Sequence, residues 1–431
     1  MSEVDVVIIG AGAAGLAAAK TAAARRLTSV VLEASHRIGG RAYTEELAPG
    51  MPFDLGCHWM HSASRNPFVA IADRLGFHYH KSGPWKPTVF SARGWASPAD
   101  QVAIAQLGKA NEAAYEASVA RGEDVAVADL VDHDHPWAAF QAYWFSLYTS
   151  RDIDQVSAVD LVAYDDSGEN WPVQEGYGAL VAHWAADVPV TLNAAVTRVS
   201  WGSKGVSVET PKGTIRGRRL VITISTNMLN AGRIAFDPPL PDWKIDAAAR
   251  LPLGVHNRIG IKLDHDPFGP DAPLSITVFS ERDEPPMAIQ LRPFGHDYVV
   301  GVTGGRFGEW LEHAGQAASV AHLTDHLVSV YGSDIRRALS ERTIVTAWAG
   351  DPWTLGSYSS ALPGYHHCRA ELAKPIDDIL YFAGEATSPD YFSTCHGAYL
   401  SGIAAIEAIA QAGATLEARS GSQPPYQAPF T

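Results

Sequence analysis

"VDVVIIGAGAAGLAAAKTAAARR", residues Val4 to Arg26, decides the fold of this 431-residue chain. Residues Val4 to Ile9 are mostly β-branched and apolar, which is typical of a buried parallel strand. A glycine-rich turn and an alanine-rich helix follow, with Gly10, Gly12 and Gly15 at GxGxxG spacing. Such glycines let the backbone approach a pyrophosphate at the helix N-terminus, so the stretch predicts a Rossmann-type dinucleotide site.

The residues after this helix extend the same prediction. A second apolar strand, Ser29 to Leu32, ends in Glu33, and an acid at this distance hydrogen-bonds an adenosine ribose. Gly39 and Gly40 allow close backbone approach to a bulky ligand, and Arg41 can donate to the diphosphate. The alternative is a helix N-terminus with incidental glycines. The motif alone does not separate nicotinamide from flavin.

Composition narrows the partners. The chain has 33 Lys and Arg against 47 Asp and Glu, a net charge of −14, which argues against nucleic-acid and anionic-membrane partners and favours a cationic substrate. Three cysteines without metal-ligand spacing fit a reducing compartment. The cysteine spacing also predicts no metal site. We find no basic leader and no run of 18 uncharged apolar residues, and we therefore expect a cytoplasmic protein.

Two segments at opposite ends resemble the FAD signatures of the flavin amine oxidase family, which includes monoamine oxidases, polyamine oxidases and histone demethylases. They are "GAGAAGLAAA" through "GGRAYT", and "YFAGEATSPDYFSTCHGAYLSGIAAIEAI" at Tyr381 to Ile409. "WPVQEGYGALVAHWA" and "LNAAVTRVSW" resemble the family's middle FAD segment. The resemblance implies an α/β fold with a discontinuous Rossmann-like FAD-binding domain and an α+β substrate domain containing a mixed sheet and helices. We predict residues 1–80, 176–255 and 346–431 for the first domain, 81–175 and 256–345 for the second, and a flexible tail at about 420–431.

The resemblance also assigns cofactor contacts. Val196 is expected to meet the adenine through its backbone, and Gly384 and Glu385 to lie at the ribityl and pyrophosphate groups. The full set of expected FAD contacts is Gly10, Gly12, Gly15, Glu33, Ala34, Gly39, Gly40, Arg41, Gly56, Trp59, Val196, Trp353, Gly384, Glu385, Thr394, Cys395 and Ala398.

"GCHWMHS", Gly56 to Ser62, resembles an active-site segment of vertebrate acetylpolyamine and spermine oxidases, and it places His61 on their histidine. A neutral imidazole there could accept a hydrogen bond from an amine or help remove its proton. The alternative is a histidine held inside an aromatic core. His58 is expected to point elsewhere, and Trp59 to lie near the flavin edge.

"HNRIGIKLDHDPF" contains a second candidate, Lys262, which interrupts an apolar strand. In the family a lysine on this strand holds a water against flavin N5, and a buried lysine is costly unless it has such a use. The alternative is an outward-facing lysine on an edge strand.

"AWAGDPWTLGSYSSALPG", Ala347 to Gly364, has Ser357 where covalent family members carry the flavin-linking cysteine, so we predict dissociable FAD. Tyr358 matches one wall of the family's aromatic cage around the amine. The other wall is Thr394, which leaves the cage half built unless Trp353, Tyr391 or Phe392 completes it.

An acidic stretch, "YDDSGEN", offers Asp165, Asp166 and Glu169 for a distal ammonium, and we select Glu169 as the substrate contact beside His61, Tyr358 and Thr394. Such runs are also common in solvated loops.

The predicted reaction transfers a hydride from the amine α-carbon to flavin N5, with Lys262, His61 and Tyr358 as the catalytic group. O2 would reoxidise the flavin to give H2O2, and water would hydrolyse the imine. The alternatives are an L-amino-acid oxidase, with Arg292 or Arg258 clamping the carboxylate, a desaturase of an apolar substrate, or a flavin-binding regulatory module of chromatin type. We expect the amine and O2 as partners, no nucleic acid and no membrane, and we leave the formation of a homodimer undecided.

Overall fold

A computed structural model of the chain describes residues 3–81, 88–279 and 285–420, with side chains up to residue 412. The strands are β1 (Val4–Ile9), β2 (Ser29–Leu32), β3 (Thr44–Ala48), β4 (Met51–Asp54), β5 (Trp59–Met60), β6 (Val89–Ser91), β7 (Gly94–Trp95), β8 (Trp171–Pro172), β9 (Val190–Thr191), β10 (Arg198–Gly202), β11 (Gly205–Thr210), β12 (Gly213–Ile222), β13 (Ala235–Asp237), β14 (His256–Leu263), β15 (Ser275–Phe279), β16 (Met287–Leu291), β17 (Tyr298–Gly304), β18 (Leu339–Val345) and β19 (Leu380–Phe382). The α-helices are α1 (Ala13–Ala24), α2 (Pro67–Leu75), α3 (Pro98–Ala120), α4 (Ala138–Thr149), α5 (Ala158–Ala163), α6 (Tyr177–Trp184), α7 (Thr226–Asn230), α8 (Asp242–Ala249), α9 (Gly305–Ala314), α10 (Gln316–Tyr331), α11 (Cys368–Ala373) and α12 (Cys395–Ser420).

The first sheet carries the Rossmann-like unit. Its order is β13-β10-β11-β12-β1-β2-β9, and β19 also pairs with β12. The pairs of β1 with β2 and β12, of β2 with β9 and of β12 with β19 are parallel. The predicted bounds of the first two strands, Val4–Ile9 and Ser29–Leu32, are confirmed. The α/β fold class is thereby confirmed as well.

The second sheet has the order β18-β14-β17-β16-β15-β6-β7 and is mainly antiparallel. The sequence "GEWLEHAGQAASVAHLTDHLVSVY", residues 308–331, predicts one helix, but Gly315, at φ 93°, separates α9 from α10 there. Only glycine adopts this conformation readily, so the break is local in origin. Since the two sheets draw their strands from the stretches predicted for the two domains, we retain the predicted domain bounds as a proposal.

Close helix packing fixes the cofactor-side core. The alanine-rich α1 is buried on most of its surface against α12, and a Cβ added at Gly402 would lie 2.0 Å from the carbonyl oxygen of Ala14. Small residues are needed because the two backbones approach so closely.

Two helices extend beside the second sheet. α3 begins with a capping box between Ser97 and Asp100, and α4 buries aromatic residues such as Phe140 and Tyr143. The helical spacing of Ala, Val, Leu and Trp from Ser97 to Asp152 predicts two or more helices, and α3 and α4 confirm this. Within the described ranges, no helix combines the length and apolar character needed to cross a bilayer. The predicted tail lies outside the described residues except for Ser420.

Candidate active site

One cavity of about 1830 Å³ collects residues from both sheets and from α3 and α4. Most of the residues predicted from the sequence line it: Gly10, Gly12, Glu33, Ala34, Gly39, Gly40, Arg41, Gly56, Trp59, His61, Val196, Trp353, Tyr358, Gly384, Glu385, Thr394, Cys395 and Ala398. Gly15, Glu169 and Lys262 are not on its wall. Most of the predicted site residues therefore lie in one concave site, whereas Gly15, Glu169 and Lys262 lie outside its wall.

The glycine-rich turn forms one end of the cavity. Gly10 has φ 99°, and a Cβ there would lie 2.5 Å from the Thr223 hydroxyl oxygen. A Cβ on Gly15 would lie 1.9 Å from the carbonyl oxygen of Gly10, so Gly15 holds α1 against the turn and does not itself face the cavity. Its predicted cofactor contact is replaced by a packing role.

Glu33 lies at the same end, at the end of β2. Its carboxylate accepts hydrogen bonds from the backbone N–H groups of Ala11 (2.7 Å) and Ser35 (2.8 Å). This acid is therefore fixed beside the turn, where a ribose hydroxyl would be recognised.

An ion pair joins the N-terminal and C-terminal motifs. Arg41 Nη1 donates to Glu385 Oε1 at 2.9 Å and to the Ser357 carbonyl at 2.7 Å. Burial alone would raise the pKa of Glu385, but Arg41 and a hydrogen bond from the Ser359 hydroxyl (2.7 Å) outweigh it and lower that pKa. Glu385 is thus an ionised carboxylate at the cavity wall.

A second buried ion pair lies behind Glu385. Arg369, 1% exposed, donates to Asp160 through Nε at 2.6 Å and Nη2 at 2.7 Å, and its Nη1 donates to the Ser359 hydroxyl at 3.0 Å. Burial raises the pKa of Asp160, but Arg369, His366 and the Ala361 N–H together lower it by more, so the net shift is downward. This pair was not found from the sequence, because Asp160 and Arg369 are 209 residues apart.

The start of α12 shows what Thr394 does. Its hydroxyl donates to the Tyr391 carbonyl (2.6 Å) and accepts from the Gly397 N–H (3.0 Å), so it caps the helix. Of the residues proposed to complete the cage, Phe392 and Trp353 line the cavity, whereas Tyr391 donates to Asp165 outside it.

Tyr358 is held by its hydroxyl. It donates to the Leu147 carbonyl and lies 3.0 Å from His256 Nδ1. Burial, with a smaller contribution from Arg258, lowers the pKa of His256 to about 4, so this imidazole is neutral at pH 7. The Tyr358 ring is therefore fixed at the wall by β14.

His61 presents one ring nitrogen for chemistry. Its Nδ1 lies 2.5 Å from Asn170 Oδ1, and because an amide oxygen only accepts, Nδ1 carries the proton and Nε2 keeps its lone pair. Burial lowers the pKa of His61, although the Asn170 hydrogen bond opposes this. His58, expected to point elsewhere, also lines the cavity and is held by Asp54 at 2.9 Å.

Lys262 was placed wrongly. Its ammonium donates to the Leu263 carbonyl (3.0 Å) and to Asp264 (2.9 Å), away from the cavity. His256, Arg258 and Lys262 share one face of β14, but a strand advances about 3.3 Å per residue, so Lys262 lies about 13 Å beyond Arg258. A Cβ added at the intervening Gly260 would meet the Phe53 ring at 2.5 Å, and Phe53 closes the face at that point.

Arg258 is the cation that β14 places on the cavity wall. It is 4% exposed, and burial lowers its pKa, although a guanidinium keeps its proton at neutral pH. Of the two arginines considered for a carboxylate clamp, only Arg258 faces the cavity, since Arg292 is paired with Asp266 and Asp297 and is not on the wall.

Glu169 was also misplaced. It interacts with Ser64 and Ser167 and is off the wall, whereas its neighbour Asp166 lines the cavity. Three further acids, Glu112, Glu116 and Asp132, line the same exposed mouth.

The "STN" sequence, Ser225 to Asn227, has a structural role. Ser225 caps α7 through the Met228 N–H (3.1 Å) and donates to the Thr354 carbonyl (2.6 Å), while Asn227 donates to the Leu355 carbonyl (2.6 Å). These bonds anchor the loop that carries Trp353.

Comparisons with known proteins agree with this geometry. A family model described as "Flavin containing amine oxidoreductase" matches residues 13–410. Polyamine oxidase 4 of Oryza sativa subsp. japonica is 28% identical over 441 residues, covering 94% of this chain and 88% of the rice protein. Cyclohexylamine oxidase from Brevibacterium oxydans IH-35A superposes with a TM-score of 0.79 at 22% identity, covering 96% of this chain and 100% of that one. Wild-type putrescine oxidase bound to putrescine gives a TM-score of 0.79 at 18% identity, covering 97% and 100%.

Proposed function

The chain belongs to the flavin containing amine oxidoreductase family, and we propose that its FAD-dependent reaction oxidises amines that carry a second positive charge, such as diamines and polyamines. The observation that carries this proposal is an acidic cavity mouth beside two polar side chains of α3, Asn111 and Tyr115, that line the cavity and have no partner among the described residues. Polyamine oxidases among the relatives support the same class of substrate.

The residues present fit FAD. The strained turn at Gly10, the fixed Glu33 carboxylate and the backbone near Val196 form one end of a cavity that continues past Arg41 and Glu385 to the histidines. The N-terminus of α1 and Arg41 would hold the diphosphate, and Glu33 the adenosine ribose. When bound, FAD supplies the two-electron oxidation of the amine.

The mouth supplies negative charge at some distance from the histidines. The Tyr148 ring is exposed, and partial desolvation of its hydroxyl together with the charges of Asp166 and Glu112 raises the pKa of this phenol, so both carboxylates act on it. Trp144 lies beside Tyr148 with ring centroids 5.9 Å apart. Carboxylates next to aromatic faces attract an ammonium group.

Two buried groups on α3 face the same region. Asn111 and Tyr115 lie one turn apart, line the cavity and are each 8% exposed. Among the described residues, neither side chain has a hydrogen-bond partner that the protein supplies. Their polar atoms are therefore available to pair with a polar ligand in the cavity.

His61 performs the proton chemistry in this proposal. Asn170 fixes the imidazole so that its unprotonated Nε2 can accept a proton from the reacting ammonium, which leaves a lone pair on the amine nitrogen. Tyr358 and Phe392 provide aromatic walls. Reoxidation of the flavin by O2 would give the peroxide, and hydrolysis of the imine by water would give the aldehyde or ketone.

FAD is expected to be dissociable. Ser357 lines the cavity, and its hydroxyl is engaged with the backbone N–H (2.8 Å) and carbonyl (3.1 Å) of His256. A hydroxyl is no substitute for a linking thiolate. Acid precipitation should leave the yellow cofactor in the supernatant, and flavin retained in the precipitate would contradict this.

The test is anaerobic flavin bleaching with amines matched in the reacting end, such as butylamine against putrescine and spermidine. The double variant Glu112→Gln/Asp166→Asn should raise the KM for the diamines by about 2- to 30-fold, as expected for two exposed ion pairs, with little effect on butylamine. Asp134→Asn is the control, because Asp134 is an exposed acid near the mouth but off the wall. Equal effects on butylamine and putrescine would exclude the second-charge requirement.

A further inference from the structure

We propose that Arg258, and not Lys262, is the fixed cation of β14 that stabilises the negative charge of the reduced cofactor. This inference rests on the use of FAD proposed above. It assigns the role to a residue whose position the structure shows.

Arg258 carries a buried charge. It is 4% exposed and lines the cavity, and its buried Nε has no hydrogen-bond partner among the described residues. Across the residues that the structure describes, its guanidinium makes no hydrogen bond or ion pair. The Phe53 ring, with its centroid 5.6 Å away, is its aromatic neighbour.

Asp54, the carboxylate that acts most strongly on Arg258, does not neutralise it. Asp54 acts on its pKa, but the Asp54 oxygens already accept from Thr44 (2.5 Å), His58 (2.9 Å) and the N–H groups of Tyr177 (3.1 Å) and Gly178 (3.2 Å). A buried arginine without a contacting anion is strongly unfavourable. A ligand that carries or acquires negative charge would resolve this.

The reduced cofactor fits better than a substrate carboxylate. A carboxylate would have to enter past Glu112, Glu116, Asp132 and Asp166, which repel it. Hydride transfer from the amine α-carbon brings two electrons and one proton, so the cofactor gains one negative charge and the amine departs as an iminium ion. The guanidinium keeps its proton throughout and stabilises that charge.

The position of Arg258 supports this assignment. His58 and His256 both experience its charge, and His58 packs edge-on against Trp59 with ring centroids 5.1 Å apart. Arg258 therefore lies at the junction of the Gly56 loop and Tyr358, beyond the nucleotide end. The redox-active ring of a dinucleotide anchored at Glu33 would reach this part of the cavity.

The experiment measures the reduction equilibrium of bound FAD against a reference dye without any amine. Arg258→Met should make reduction at least tenfold less favourable, which is about 30 mV for a two-electron couple. Arg258→Lys should restore most of the wild-type equilibrium. Arg233→Met is the matched control, because the exposed Arg233 also lines the cavity but donates to the Pro352 carbonyl and should leave the equilibrium unchanged.

An Arg258→Met protein whose equilibrium equals wild type would overturn the inference. A selective rise in the KM for amino acids over amines, with the equilibrium unchanged, would assign Arg258 to a substrate carboxylate instead. If Arg258→Met does not fold, Arg258→Gln against Arg258→Lys gives the same comparison of charge. Since the reduction equilibrium is measured without an amine, an unchanged equilibrium in Arg258→Met is distinct from a failure of amines to bleach the flavin.

Discussion

Asn170 decides which nitrogen of His61 faces the substrate. Its amide oxygen, 2.5 Å from Nδ1, keeps the unprotonated Nε2 on the other side of the ring. We expect His61→Ala to lower kcat/KM for amines by about 10²- to 10⁴-fold, the usual contribution of a general base. Asn170→Ala should lower it less, because the imidazole is retained but both tautomers become accessible. Steady-state kinetics measure both, and a smaller loss for His61→Ala than for Asn170→Ala would contradict the assignment.

Burial of His61 has a consequence for pH dependence. Because burial lowers its pKa below the ordinary value of 6.5, the imidazole stays neutral and able to accept a proton well into mildly acidic solution. The acid limb of kcat/KM that belongs to His61 should therefore lie below pH 6.5 and disappear in His61→Gln. A limb at or above pH 6.5 that is lost in this variant would show that the ring is solvated or paired with an acid.

Asp160 and Arg369 form the residue pair with the greatest expected effect on stability. Asp160→Asn would leave the buried guanidinium without its countercharge, and we expect a loss of about 3 to 5 kcal/mol in the free energy of unfolding. Denaturant titration of the FAD-loaded protein measures this. The double variant Asp160→Leu/Arg369→Met should be less damaging than Asp160→Asn, and the opposite order would contradict the explanation.

The same pair makes stability depend on pH in a defined direction. The folded pKa of Asp160 lies below its unfolded value, because Arg369, His366 and the Ala361 N–H together outweigh the effect of burial. The contribution is therefore present at neutral pH and is lost as the pH falls below about 4.

At the scale of elements, the crossing of α1 and α12 tolerates no added methyl. Gly402→Ala would place Cβ 2.0 Å from the Ala14 carbonyl oxygen, and overpacking of about 1 to 3 kcal/mol should exceed the gain of about 1 kcal/mol in helix propensity. Gly108→Ala in α3 is the matched control, since its nearest neighbour is Gln141 Nε2 at 3.6 Å. Calorimetry should show a lower Tm for the first variant and an equal or higher Tm for the second.

For strand β14, the sequence predicts the strand itself but not which of its side chains faces the cavity. The alternation in "HNRIGIKL", residues 256–263, predicts a strand with the bounds that β14 has. The glycine and acid spacing likewise predicts a dinucleotide site at β1 and β2. Which cation of β14 meets the cavity depends on Phe53 closing over Gly260, a contact between residues more than 200 positions apart. Likewise, the turn that directs Asp166 into the mouth and Glu169 away from it is set by Ser62 and Ser64, which no local pattern indicates.

At the scale of the whole molecule, the cavity has two differently charged parts. The nucleotide end is built on the first sheet, around the α1 N-terminus, whereas the mouth is lined by acids from α3 and the adjoining loops. A net charge of −14 adds a long-range attraction for cations. In the proposed function, the diphosphate and the amine would therefore be bound by parts of opposite electrostatic character, and this separation would allow one cavity to hold both.

The length of the cavity also predicts which flavin stabilises the fold. Glu33 and Val196 lie where only the adenosine half of FAD would reach, so FMN would lose these contacts. After removal of the cofactor, FAD at about 100 times its Kd should add about 2.7 kcal/mol to the free energy of unfolding, while FMN at the same concentration should add much less. Thermal unfolding followed together with flavin absorbance measures both. Glu33→Gln should weaken the stabilisation by FAD but not change the response to FMN, because the ribose hydroxyls of adenosine would lose a charged acceptor. Equal stabilisation by FMN and FAD would mean that the glycine-rich turn and Glu33 do not hold an adenosine, and the nucleotide end of the cavity would need a different ligand.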